Sequence, residues 1–331
     1  MRSLASLFTP AAVAIAAISP VKTASAALAL GPSFAADYTI SDLGPVANVN
    51  QAYGGLVFAP GASSIYIGGD ANTASGGLYQ ATVTRGAGNH ITSIGAATRI
   101  ANAPYNDGGF AFGPGGVLFA SQWPINGIQQ FKPGIPGLGP DKTQDVTPLG
   151  VASSQAALQF VPSTFGGAGQ FKGLSWSGGQ FYTFGIAPDG TGTYNITSAV
   201  QVTTLGGGPE GFVYVKNTNK DFAADSMLVS EFSAGNVAAY TLDASGNPIA
   251  GTRKDFVTGL TQAEGAAIDP LTGDFLFSTF GTGADRVFIV EGFVKPPPGV
   301  PELSTWAMML VGFSLVGWRL GNRRVASAAA G

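Results

Sequence analysis

Apolar and polar residues alternate over short runs through most of the chain, and no long stretch repeats its apolar positions with the period of a helix. Glycine, proline, asparagine and aspartate separate these runs, and all four residue types favour turns. Between residues 27 and 294 the pattern predicts many short strands. We therefore expect an all-β body.

One phrase recurs five times in this body: a glycine, an alternating apolar strand, a turn and a second apolar strand. The copies are GGLVFAPGASSIYIGG (54–69), GGFAFGPGGVLFAS (108–121), KGLSWSGGQFYTFG (172–185), EGFVYVKNTNKDFAADSMLVSEF (210–232) and EGAAIDPLTGDFLFSTF (264–280). A third strand follows each copy, and a fourth candidate leads into the next. Such units predict a β-propeller of five or six blades. The alternative is a β-sandwich or β-helix whose hairpins repeat by chance.

The fifth copy has no fourth strand of its own before the proline-rich stretch that begins at residue 295. The segment ADYTISDLG (36–44), which precedes the first copy, has the pattern of a strand. A propeller closes when a strand from one end of the chain completes the blade at the other end. We therefore predict that residues 36–44 complete the last blade.

The N-terminus has the three parts of a signal peptide. Arg2 gives a positive start, residues 4–18 are apolar but too short to span a bilayer, and Ala24-Ser25-Ala26 fits the small-x-small cleavage rule. We predict that signal peptidase removes residues 1–26, with cleavage after Ala26. The alternative is a retained N-terminal anchor.

The C-terminus combines a stiff linker with an apolar run. Residues 295–302 are rich in proline, and the run from residue 303 to 318 has no charge and carries Trp306 and Trp318 near its ends. Tryptophan marks membrane interfaces, and basic residues mark the cytoplasmic side. The pattern predicts a transmembrane helix with its basic cluster over residues 303–324, a body outside the cytoplasm and a short tail, residues 325–331.

The same stretch, VPELSTWAMMLVGFSLVGW followed by basic residues, resembles the PEP-CTERM sorting signal of Gram-negative bacteria in its Trp-Ala sub-form. The residues that carry the resemblance are Pro301, Glu302, Trp306, Ala307, Arg319, Arg323 and Arg324. Leu303 departs from it, since the family usually has a second proline there, and the tail VASAAAG follows the arginines. The resemblance implies processing by an exosortase at the inner membrane, then release or attachment at the cell surface or in an exopolysaccharide matrix. The alternative is a plain membrane anchor.

The composition excludes several kinds of functional site and makes one kind of partner unexpected. The chain has no cysteine, which excludes disulfides and thiolate sites, and its net charge of −3 comes with no basic stripe, so nucleic acid is not an expected partner. Its single histidine, His90, lies in a turn-like segment without a G-x-S-x-G partner motif. We expect an exposed loop histidine there and assign no catalytic residue.

Acidic residues precede three of the five predicted inner strands: Asp107, Glu210 and Glu264, while Lys172 takes a fourth place. In a propeller these positions converge at one mouth of the central channel, where three carboxylates suit a hard cation such as Ca²⁺. The alternative is that they hydrogen-bond turn amides and face water. The phrases EGAAIDPLTGDFLFST and GGGPEGFVYV resemble NHL-type and gluconolactonase-like propellers, and that resemblance implies a metal-binding role for Glu210.

Two functions remain open. The chain is expected to be an exported, surface-sorted, non-enzymatic binding or matrix protein without a cofactor, with glycan or another envelope component as its ligand. The alternative is a metal-dependent extracytoplasmic lactonase or lyase. An enzyme needs a general base, and the sequence offers carboxylates but no suitably placed histidine, so we favour the non-enzymatic function.

Overall fold

The computed structural model describes residues 27–281 and 283–296. Within them, 22 strands and four single-turn 3₁₀ helices form five separate antiparallel sheets arranged as the blades of a propeller. The predicted all-β propeller is confirmed, and its blade number is five. The 3₁₀ helices connect strands and span Ala87–Asn89, Pro114–Gly116, Thr147–Leu149 and Ala250–Thr252.

Two strands precede the ring, and both belong to blades that are otherwise formed much later in the chain. They are β1 (Ala29–Leu30) and β2 (Thr39–Gly44). Blade 1 follows, and its third strand pairs with two short outer strands. Its members are β3 (Leu56–Phe58), β4 (Ser64–Gly69), β5 (Gly77–Arg85), β6 (Ile91–Ile94) and β7 (Thr98–Asn102).

Blades 2 and 3 each have four strands, numbered from the axis outward. Blade 2 contains β8 (Asn106–Phe112), β9 (Leu118–Gln122), β10 (Gly127–Phe131) and β11 (Lys142–Asp145). Blade 3 contains β12 (Gln155–Phe160), β13 (Phe171–Ser175), β14 (Gln180–Pro188) and β15 (Tyr194–Thr204).

The last two blades each take a strand from the N-terminal end of the described chain. Blade 4 contains β16 (Pro209–Val215), β17 (Ser226–Glu231), β18 (Asn236–Thr241) and β19 (Lys254–Thr258), with β1 outside β19. Blade 5 contains β20 (Ala263–Ile268), β21 (Phe275–Thr279) and β22 (Val287–Glu291), with β2 outside β22.

Blade 3 corrects the placement of the third repeat. The phrase at 172–185 was expected to supply the inner and second strands, but it forms the second and third, β13 and β14, and the inner strand is β12. Neighbouring strands of one blade share the same alternation, so the pattern fits either pair. The inner strand is hidden because Ala156 and Ala157 stand where other blades have glycine. The predicted third and fourth strands of this unit are one continuous strand, β15.

Closure of the ring agrees with the prediction. Strand β2 lies antiparallel to β22 and is the outermost strand of blade 5, with Thr39 opposite Glu291. Arg286 Nε adds an ion pair across the same seam, 2.8 Å from Asp42 Oδ2. Strand β1, which pairs with β19 and places Ala29 opposite Thr258, was not expected. Both ends of the described chain are therefore held in the sheet structure.

The inner strands β3, β8, β12, β16 and β20 contact one another around the axis. The upper face is the end of the ring at which these inner strands begin. The lower face is the end at which they finish. A Cβ at Gly108 would lie 2.2 Å from the carbonyl oxygen of Glu210, and a Cβ at Gly265 would lie 2.8 Å from the Cα of Gly55. Only glycine permits such approach, so the inner strands pack backbone against backbone near the axis.

The core lies between blades. The structure contains five buried apolar clusters, each shared by two neighbouring blades. Between blades 2 and 3, for example, the ring of Phe171 stacks on Phe160 with centroids 4.5 Å apart and lies 5.1 Å from Phe119. Because every blade depends on its neighbours for burial, the ring is stabilised as a unit.

Buried serines join neighbouring inner strands near the axis. Ser121 Oγ accepts a hydrogen bond from Gly109 N and donates one to the Ala156 carbonyl in the next blade. Ser278 Oγ likewise accepts from Gly265 N and donates to Gly54 O, across the closure between blades 5 and 1. These bonds satisfy backbone groups that the bulged inner strands leave unpaired.

The predicted signal peptide, residues 1–26, and the predicted transmembrane segment, residues 303–324, lie outside the described residues, as do the sorting-motif positions and Ala24 and Ala26. In the part of the chain that is described, no helix is both long and apolar enough to cross a membrane.

Candidate functional site

The three predicted acidic residues occupy the same place in their blades. Asp107, Glu210 and Glu264 are each the second residue of an inner strand, β8, β16 and β20 respectively. In all three strands the pairing register shifts at this point, as it does at a β-bulge. A bulge turns a side chain out of the regular alternation, and the glycine after each acid lets the strands approach closely. The local sequence therefore directs the three carboxylates to one spot.

The structure brings these side chains together on the axis at the upper face. One carboxylate oxygen of each residue lies within 4.8 Å of those of the other two. The exposed fractions are 1% for Asp107, 5% for Glu210 and 1% for Glu264. The alternative expectation, carboxylates that face water, is wrong because the inner strands close around them.

Few hydrogen bonds reach these carboxylates. With its amide oriented to donate, Asn72 gives Asp107 Oδ1 a hydrogen bond of 3.1 Å. Asp107 Oδ2, Glu210 Oε2 and both carboxylate oxygens of Glu264 are buried without a partner. None of the described lysine, arginine or histidine side chains forms an ion pair with the cluster. Buried polar groups in folded proteins are normally satisfied, so these oxygens indicate a site for protons or a cation.

The electrostatics follow from burial. Loss of solvent raises the pKa of Asp107 to about 8, against a smaller opposing effect of the Asn72 hydrogen bond. Burial also holds the pKa of Glu210 well above its usual value, and the charges of Asp107 and Glu264 raise it further. For Glu264 the same shift arises from burial and then from Asp107 and Asp285. Without a cation, the cluster therefore retains protons at neutral pH.

These residues fit a hard divalent cation. Three carboxylates supply oxygen ligands of the kind that Ca²⁺, Mg²⁺ and Mn²⁺ prefer, and the four oxygens without partners are free to coordinate. The cluster is thus a candidate metal centre, and the expectation of a chain without a cofactor loses its support.

Lys172 does not take the fourth place around the axis. It lies on the second strand of blade 3, where its Nζ donates to Asn247 Oδ1 at 2.7 Å and to Thr183 Oγ1 at 2.8 Å. The equivalent position on the inner strand belongs to Gln155, which also sits at a register shift. The expected place of Lys172 on an inner strand is therefore wrong.

His90 lies far from this chemistry. Its Nδ1 is 2.7 Å from Oδ2 of Asp274, a buried residue of the turn between β20 and β21 at the lower face. This hydrogen bond raises the pKa of His90. The expected loop position of His90 is confirmed, but the side chain is half-buried and hydrogen-bonded rather than exposed and free.

A second feature of the upper face was not expected from the sequence. A depression of about 460 Å³ is lined by Trp176, Ser177, Gly207, Gly208, Ser233 and Ala234. Gly207 and Gly208 lead directly into β16 and Glu210. The Trp176 ring lies edge-on to Phe232 at 6.2 Å, and its Nε1 is buried without a partner. This depression supplies an apolar wall and an unused donor beside the strand that carries Glu210.

A repeated sequence pattern could have predicted the aromatic wall that Trp176 gives to this depression. In blades 2 to 5 one of the last two residues of the second strand is a buried serine, and an aromatic side chain follows it within two residues: Trp123, Trp176, Phe232 and Phe280. The connections after these second strands lie at the upper face. The repeated serine–aromatic pair therefore marks the loops around the mouth that contains the carboxylates.

No protein-family model and no curated protein matches the chain. Similar solved structures include the PQQ domain of a pyranose dehydrogenase from Coprinopsis cinerea, 10% identical over 80% of this chain and 97% of that chain, with a TM-score of 0.46. Glutaminyl cyclase from Myxococcus xanthus is 14% identical over 77% and 95%, with a TM-score of 0.46. A gluconolactonase from Xanthomonas campestris is 10% identical over 80% and 81%, with a TM-score of 0.44.

The solved structures named above carry the names of enzymes, which goes against the non-enzymatic binding or matrix function that the sequence favoured. The likenesses have low identities and TM-scores below 0.5, so the chemistry assigned to this chain must rest on its own residues. The buried carboxylate cluster is the feature that carries it.

Proposed function

We propose that the chain is a metal-dependent enzyme of the lactonase or lyase type, with Asp107, Glu210 and Glu264 as its metal ligands. The observation that supports this function is the convergence of three buried carboxylates with four oxygens that have no hydrogen-bond partner. We place the substrate in the depression lined by Gly207 and Gly208, the residues that lead into the strand of Glu210.

A cation is the simplest compensation for this arrangement. Two unit charges about 4 Å apart repel by roughly 4 kcal/mol at an effective dielectric constant of 20, and the cluster contains three acids. Protons can relieve that repulsion only while the pH stays below the raised pKa values. A divalent ion relieves it over a wider pH range, and Ca²⁺ is the ion that three hard carboxylate ligands favour first.

The chemistry divides between the ion and the protein. A bound divalent cation supplies a Lewis acid that polarises the carbonyl group of a lactone. The three carboxylates hold the ion and exclude water from its protein side. Because Asp107 is a ligand of the ion in this proposal, its raised pKa of about 8 belongs to the metal-free protein, and Asp107 is not assigned as the general base.

The test is Glu210→Gln, which keeps the shape and removes one charge. Calorimetry with Ca²⁺, Mg²⁺, Mn²⁺ and Zn²⁺ should show one site in the parent, and lactone hydrolysis followed in a pH-stat should depend on the metal. The variant should lose the metal-induced stabilisation, about 2.7 kcal/mol at a hundredfold excess over Kd. Its hydrolysis should fall by about a hundredfold or more.

The sign of the stability change separates a metal site from a structural cluster. In a chelator at neutral pH, Glu210→Gln should melt at a higher temperature than the parent, because Gln is neutral in the buried cluster without having to bind a proton. In excess metal, the order should reverse. Glu291→Gln, which changes a glutamate at the edge of blade 5, is the matched control and should leave binding and hydrolysis unchanged. An absence of both metal binding and lactone hydrolysis in the parent would refute the proposed function.

We also propose that the enzyme works outside the cytoplasm. Support comes from the signal-peptide pattern of residues 1–26 and from the PEP-CTERM-like motif around Glu302 and Trp306. The implied processing partners are signal peptidase and an exosortase, and the implied intermediate sits in the inner membrane with its body in the periplasm.

Mass spectrometry of the protein from its native host should find Ala27 at the N-terminus and no VASAAAG peptide on the mature form. Substitution of Glu302 or Trp306 should leave the C-terminal peptide attached, because the motif is what the processing enzyme recognises. A mature protein that begins at Met1 would contradict the export signal, and stable full-length chain in the inner membrane would favour a plain anchor.

A further inference from the structure

The lower face carries a cavity of about 670 Å³ that is separate from the carboxylate cluster. The ends of β3, β12, β16 and β20 line it, whereas the cluster lies where inner strands begin. The close backbone packing around Gly108 and Gly265 lies between the two. None of the three carboxylates lines the cavity, so the cavity is separate from the site proposed above.

The walls of this cavity are mainly apolar, and two of its polar side chains, Lys216 and Asn219, are engaged in hydrogen bonds. Lys216 Nζ donates to Asp225 Oδ2 at 2.7 Å and to the Thr164 carbonyl at 3.1 Å. Asn219 Oδ1 accepts from Val294 N at 2.7 Å. At the rim, Leu271 and Val294 are 39% and 48% exposed. Engaged polar groups and exposed apolar ones favour an apolar occupant.

The course of the chain near the cavity indicates which segment could occupy it. Residues 293–296 line the cavity themselves, and the hydrogen bond from Val294 N to Asn219 holds them there. Pro296, the last of the described residues, lies in the cavity wall. Residues 303–318 contain no charged side chain, and the six residues between can span about 20 Å when extended. The apolar run therefore starts within reach of the whole cavity.

We propose that part of this apolar segment, residues 303–318, docks into the lower-face cavity of its own chain while no membrane holds it. A short tether gives an effective concentration in the millimolar range. Each large apolar side chain that leaves water contributes about 1.5–3 kcal/mol. The body thus shields the segment that would otherwise drive association between chains, and loss of the segment opens the lower face.

Cross-linking within the full chain tests this docking directly, because the protein has no cysteine of its own. One variant combines Ser163→Cys, at the cavity, with Met309→Cys in the apolar segment. The matched control combines Met309→Cys with Ser63→Cys, an exposed serine of the blade 1 turn that does not line the cavity. Without lipid or detergent, a short bismaleimide should link 163 to 309 within one chain about tenfold faster than 63 to 309.

A second measurement uses the body ended at Pro296, which retains every strand of the five blades. This body should bind an apolar fluorescent dye at the lower face, and the full chain should bind less of it. Equal cross-linking rates for positions 163 and 63 would overturn the proposal. Links formed only between chains would instead assign the cavity to a second copy. Aggregation of the full chain while the shortened body stays soluble would show that the segment is not shielded, and would overturn the proposal as well.

Discussion

Deleting residues 36–44 should destabilise the protein by on the order of 5 kcal/mol, which corresponds to a fall in melting temperature of roughly 10–20 °C for a domain of this size. The deletion removes β2, leaves β22 as an open edge of blade 5, and takes away Tyr38, which packs 4.7 Å from Phe293 and 5.6 Å from Phe256 between ring centroids. Open edges also promote aggregation, so solubility should fall.

Scanning calorimetry and light scattering on the two proteins measure this effect. Deletion of residues 27–30 is the control, because it removes β1 from the outside of blade 4 without breaking the ring. We expect a much smaller change there, since β1 pairs through only Ala29 and Leu30. If the two deletions lower the melting temperature equally, closure by β2 is not what stabilises the ring.

The metal-free protein should become less stable as the pH rises from about 4 to about 8. Burial raises the pKa of Asp107 from 3.8 to about 8, so over this range the folded chain binds a proton that the unfolded chain has released. Its stabilising effect is complete below the unfolded pKa and disappears as the pH passes the folded one. Since one pH unit is worth about 1.4 kcal/mol per group, the loss reaches several kcal/mol.

Melting curves in a chelator between pH 4.5 and 8.5 measure this slope, and millimolar Ca²⁺ should flatten it by replacing the protons. Asp107→Asn should flatten it too, because the amide does not titrate. Asp141→Asn, at an exposed aspartate, should keep the parent slope. A metal-free protein whose melting temperature rises steadily to pH 8 would mean that the carboxylates are charged and compensated in some other way.

Local patterns were sufficient for most of the fold because each blade repeats a short-range signal. Alternation, a tight turn and a leading glycine identified the inner strands β3, β8, β16 and β20, and the lack of a fourth strand in the last repeat identified β2 as its partner. The same signal failed for β12 because alanines replace the glycines there. Strand β1 could not be predicted, since two residues carry no periodicity and its pairing with β19 is entirely long-range.

The position of the candidate site was predictable from the sequence, but the burial of its side chains was not. Asp107, Glu210 and Glu264 share a position in the repeat, and a propeller brings repeated positions together, so their convergence followed from the fold. Their near-complete burial did not, because it depends on how closely the glycine-bearing strands pack around the axis. Lys172 was misplaced together with its strand. The Trp176 wall was missed because the loops of separate blades meet only in three dimensions.

Closure by β2 also governs when the protein can fold. Strand β2 lies near the beginning of the chain and its partner β22 near the end of the body, and the ion pair between Asp42 and Arg286 joins residues 244 positions apart. Contacts of such long sequence separation slow folding. During synthesis the first strand must wait, unpaired, until the last one emerges, and only then can the ring form. Under the export proposed above, this late pairing keeps the two ends of the body apart while the chain is still being made.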